Sequence, residues 1–135
     1  TNIQVGFDRA TEAIANLVVV EGTDLANNGL DAFVDIQTDP GPDPDNNDIM
    51  IDVSTNVPRS LAIGAAFHRT RSIEALNPND VEISMNNFVG ESGQKIALST
   101  WSQDMSDIKG TVTLGTENNM NKDHDWAMIG VVVAP

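Results

Sequence analysis

The chain has no cysteine in its 135 residues. That excludes thiol nucleophiles, redox pairs and thiolate metal sites, and it leaves the compartment open. Tyrosine is absent too, and the aromatic residues amount to four Phe and two Trp. Sugar sites commonly stack a ring on an exposed aromatic face, so candidates for that role are few. Basic side chains are scarce: seven Lys and Arg stand against twenty Asp and Glu, giving a formal charge of −13. Such a surface repels nucleic-acid backbones and anionic membranes, which argues against both as partners. Salt screens its self-repulsion, so a saline or calcium-bearing extracellular setting suits it best. No apolar run approaches the ~18 residues that span a bilayer, and no stretch reads as a signal peptide. The start at Thr1 fits a processed mature protein or an excised domain.

Catalytic constellations are missing as well. The two histidines, His68 and His124, lie far apart in sequence, and neither sits in a nucleophile-bearing motif. Gly-x-Ser-x-Gly and the phosphate-cradling Gly-x-x-x-x-Gly-Lys are absent. Zinc hydrolases commonly need more imidazoles than this chain offers. A pair of carboxylates suited to glycoside cleavage is easy to find among twenty acids, and that ease makes it weak evidence. An enzyme is not expected.

What the chain does have is strand texture. Residues 30–38 alternate, with Leu30, Ala32, Val34 and Ile36 on one side and Asp31, Phe33, Asp35 and Gln37 on the other. That is the period-two pattern of a half-buried strand. Residues 60–67 place Leu61, Ile63, Ala65 and Phe67 on one face. Further strands are predicted over 3–7, 17–20, 49–53, 81–88, 94–101, 110–114 and 126–133. Turn-rich pieces such as Asn27-Asn28-Gly29 and Asn77-Pro78-Asn79-Asp80 separate them. Residues 8–17 are the exception: Asp8 can cap a short helix whose stripe is Ala10, Ala13, Ile14 and Leu17. Residues 68–76 give a weaker helical signal. Eight or nine short strands suit a single domain over 1–135, an all-β, two-sheet antiparallel sandwich, because each sheet must bury an apolar face against another layer.

Two segments carry a further likeness. They are Ser60-Leu61-Ala62-Ile63-Gly64-Ala65-Ala66-Phe67 and the closing Asp125-Trp126-Ala127-Met128-Ile129-Gly130-Val131-Val132-Val133. From about residue 51 onward the chain resembles bacterial secreted jelly-roll or lectin-like modules. The resemblance implies a jelly-roll-like winding and an adhesive, carbohydrate-binding or structural role in an exported or virion-associated protein. It transfers no functional residue.

The candidate sites follow from local chemistry. Asp43, Asp45 and Asn47 alternate as in the opening of an EF-hand loop, and Asp48 or Asp52 can complete an oxygen shell for calcium. The match to that loop ends there, since glycine is missing at its sixth position and Ser54 stands at its twelfth. A solvated turn between strands explains the same Asp, Asn and Pro residues. His124, flanked by Asp123 and Asp125, has a metal reading and a plainer one as part of a connection before the last strand. His68, Arg69 and Arg71 gather scarce positive charge, which can receive a partner's carboxylate, an acidic sugar or the chain's own acids. Trp101, beside Ser102, Gln103 and Asp104, has the better claim of the two tryptophans to a rim position, and Trp126 reads as core. Phe33 is a second contact candidate. The residues Thr1, Asn2, Ile3, Gln4 and Val5 form a strand that can be donated to a neighbour's sheet edge.

Together these features predict a non-enzymatic structural or assembly protein outside the cell, in a surface filament, pilus-like array or virion, associating through strand edges. The alternative is a carbohydrate-binding or adhesive module, ordered by calcium. The low aromatic content favours assembly.

Overall fold

The computed structural model describes residues 17–23, 32–39, 48–69, 79–89, 95–105, 110–116 and 126–135. Seven strands occupy most of them: β1 (Phe33–Asp39), β2 (Ile49–Thr55), β3 (Ser60–Arg69), β4 (Val81–Val89), β5 (Lys95–Met105), β6 (Gly110–Thr116) and β7 (Trp126–Val133). They form an all-β sandwich. One sheet has five strands in the order β1-β7-β3-β5-β4, and the other pairs β2 with β6. All pairings are antiparallel. The chain folds back on itself about β4, so that β1 meets β7, β2 meets β6 and β3 meets β5, a nested jelly-roll-like winding.

The predicted strands near 49, 60, 81, 94, 110 and 126 form, several running a few residues further than their apolar patterns. The stretch 17–20 does not form a strand. It lies against the large sheet, with Val18 and Val20 packed, like Leu61 and Val131, against a cluster of Ala32, Ile63 and Val133. The predicted strand over 3–7, most of the predicted helix over 8–17 and residues 70–76 lie outside the described residues. Among the described residues no helix is long and apolar enough to cross a membrane.

The main core lies between the sheets. Ile49, Ile51 and Val53 of β2 and Val112 and Leu114 of β6 pack on Ala62, Ala66, Trp101, Met105, Trp126, Met128 and Val132 of the large sheet. The middle of that sheet is built from small residues because large ones press on it. A Cβ at Gly64 would stand 2.8 Å from the Trp101 ring nitrogen, and one at Gly130 would stand 2.7 Å from Val53 and 2.8 Å from Ile51. The glycines make room for the indole and for β2, and so set the spacing between the sheets.

Candidate functional site

Two aspartates lace the sandwich shut at opposite sides. The backbone N–H of Ser54 on β2 donates to Asp35 Oδ2 at 2.7 Å, and Gln37 donates to Asp35 Oδ1 at 2.8 Å. Burial pushes the Asp35 carboxyl up, but hydrogen bonds from the Ser54 and Ile36 amides, the Gln37 side chain and the Ser54 hydroxyl hold it below the ordinary carboxylate value. At the other side, the Gly115 N–H of β6 donates to Asp80 Oδ2 at 2.9 Å. Asp80 Oδ1 is buried without a hydrogen-bond partner. Desolvation therefore dominates and raises this carboxyl to about 6, the Gly115 amide offsetting only part of the shift. Each carboxylate caps an amide of the two-stranded sheet.

The residues singled out in the sequence fare differently. Trp101 does not stand at a rim: it is fully buried in the main core, with Met128 close by beneath Gly64, and offers no face for a sugar ring. The register of β5 explains this, since Trp101 pairs with Gly64 at the centre of the large sheet. His68 is likewise fully buried, its Nε2 lying 3.4 Å from Ser99 Oγ, so it faces the interior and not a partner. Arg69 ends β3, and Arg71 lies outside the described residues. Trp126 is core, as its strand predicted.

Asp48 precedes β2, and Asp52 sits on it, exposed, accepting a hydrogen bond from the Thr113 hydroxyl at 2.6 Å. Asp43, Asp45 and Asn47 lie outside the described residues, as do His124 and the segment Thr1, Asn2, Ile3, Gln4 and Val5. Among the described residues no three acidic or histidine side chains converge as a metal site would require.

Phe33 is exposed, and it leads to a feature that the residue list alone did not reveal. It borders an apolar cavity of about 270 Å³ with Val20, Ile63 and Val133, on the side of the large sheet that faces away from β2 and β6. A second hollow of about 140 Å³ lies across Val18, against Leu98 and Ile129. The row Leu61, Ile63, Ala65 and Phe67 shares a face as the alternation requires, and that face is this outer one. Ile36, Phe67 and Ile129 are 56 %, 42 % and 42 % exposed on it. Between its ends, marked by Asp104 and Arg69, the face carries no charged position among the described strands. Residues 30–38 were expected to turn Val34 and Ile36 inward. Instead a bulge between Phe33 and Asp35 puts Asp35 on the inner side and Ile36 on the outer, so Phe33 and Ile36 face away from the core while Val34, in the bulge, borders a hollow with Ser54 and Val57. The signal for the outer face was present in β3 and β7. Both are apolar on both sides, as strands covered on both faces are.

Comparison with family models gives no match, and comparison with curated proteins gives none either. Among solved structures, the fold is similar to the tripod from the baseplate of bacteriophage Tuc2009, with a TM-score of 0.44 and 13 % identity over the whole of this chain and 83 % of the other. At that distance the likeness does not bear on partners or residues.

Proposed function

We propose that the chain is a non-enzymatic structural subunit that builds an extracellular assembly from copies of itself, through the outer face and open edges of the five-stranded sheet. The observation that carries this reading is the apolar, uncharged outer face on a molecule of formal charge −13. Contiguous exposed apolar surface on a soluble domain marks a contact site more often than an accident. Copies that repel one another through their acids approach at least cost where acids are missing. The same geometry weakens the sugar-binding alternative, since Trp101 is withdrawn into the core.

The test places charge on the outer face without disturbing the core. Ile129→Asp substitutes a partly exposed side chain whose neighbours on β7, Met128 and Gly130, face inward. The variant is expected to keep its β-sheet circular dichroism and to lose association in sedimentation velocity at concentrations where the parent associates. Association unchanged by Ile129→Asp would remove the outer face from the account.

A further inference from the structure

The strap over 17–20 is apolar on both of its sides. Val18 and Val20 are half-buried against the large sheet, while Leu17 and Val19 alternate with them and are 67 % and 74 % exposed. The strap therefore stands on the outer face as a ridge whose outward side chains are aliphatic. Such side chains gain free energy only when something covers them. Glu21 is the one charge next to the ridge, four residues from Leu17 and past the half-buried Val20.

Beside the ridge lies the hollow of about 140 Å³, with Val18 as one wall and Ala65, Leu98, Ile129 and Val131 around it. Thr100 is its single polar lining residue. Side-chain size explains the gap. Ala65 is the small member of the row Leu61, Ile63, Ala65 and Phe67, and its partners in register are Ile129 on β7 and Thr100 on β5. The volume is close to that of an aliphatic cavity of ~150 Å³ that admits a benzene-sized guest, so one leucine side chain fits it.

Ridge and hollow lie side by side on one face, which makes that face complementary to itself. A two-fold axis running between them in the plane of the face carries the ridge of each copy onto the hollow of the other. Charge selects the same occupant. The face carries no charged position among the described strands between Asp104 and Arg69, so a basic partner finds no carboxylate there. A second acidic copy meets least repulsion at the same place.

We infer that Leu17 of one copy inserts into the hollow between Leu98 and Ile129 of a second copy, and reciprocally, about a two-fold axis. This inference rests on the self-assembly reading and names the contact within it.

The test compares two variants with the parent by sedimentation velocity, with circular dichroism as the control for folding. Leu17→Asp changes a mostly exposed side chain and carries an unpaired charge into the hollow. It should raise the dissociation constant by roughly tenfold or more with the β-sheet signal unchanged. Ala65→Leu fills the hollow from its floor. It adds apolar surface, so unspecific adhesion would strengthen, whereas insertion should weaken by a similar factor. Leu17→Asp decides the matter even where Ala65→Leu disturbs the sheet. A parent that loses association through Ile129→Asp but keeps it through Leu17→Asp overturns the insertion and leaves the outer-face reading standing. Tighter association of Ala65→Leu overturns it as well. Association that rises in Ile14→Asp shows the chain's own N-terminal segment competing for the hollow, and that too overturns it. A parent monomeric at every concentration overturns both readings at once.

Discussion

Asp80 and Asp35 have the same side chain and nearly the same task, yet they respond to acid in opposite directions. The folded Asp80 carboxyl titrates near 6, above the 3.8 of an unperturbed aspartate. The folded chain therefore binds a proton between those values that the unfolded chain does not, and stability falls as pH rises from about 4 to about 6. Asp35 is held low, so its contribution is present above the ordinary carboxylate range and is lost as pH falls through its folded value. Asp80→Asn keeps an oxygen to accept from Gly115 and removes the buried charge. At pH 7 it should stabilise the chain by on the order of 1 kcal/mol, discounted because the side chain is only half-buried, and the gain should vanish towards pH 4. Urea unfolding of parent and variant across that range measures it; a difference independent of pH would contradict the assignment. Neither role was legible beforehand. Asp35 lies 19 residues from Ser54, and Asp80 lies 35 from Gly115, and only the folded register brings each pair together. Trp101 was misplaced for the same reason: polar neighbours along the strand say nothing about a glycine opposite.

At the scale of elements, alternation and turn residues were enough to find six of the seven strands closely, because period and punctuation are local properties. The direction a strand faces is not local. β1 shows this, since a single bulge turns Ile36 outward and Asp35 inward against the pattern of its own residues. The segment 17–20 shows it too. Its apolar residues are used, but as a strap on the outer face without a ladder. The calcium reading of residues 43–52 meets the structure only at Asp48 and Asp52, and Asp52 is already engaged by Thr113. The packing of β7 on β2 gives a direct test of the inter-sheet spacing. Gly130→Ala drives a methyl into Val53 and Ile51, which belong to the core and have little room to yield. It should cost about 1–3 kcal/mol in chemical denaturation. A cost near zero would mean that β2 sits further from β7 than described.

For the whole molecule, two opposing terms set the behaviour. Charge of −13 keeps copies apart, and on the proposed reading the apolar outer face draws them together. The first term is screened by salt and the second is not, so their balance shifts with ionic strength. The acidic composition was fully legible in the sequence, and the few aromatics were the ground for preferring assembly to sugar binding. The apolar outer face was not legible, because a sandwich has two layers and the apolar run of β3 and β7 implies a covering on both sides without saying what supplies the second. The most direct measurement is sedimentation equilibrium of the unmodified chain over a wide concentration range, at low salt and again near 0.5 M. The expected result is a mass that rises above the 14.5 kDa of one chain as concentration increases, and rises more readily at high salt. A single 14.5 kDa species under all those conditions would contradict it.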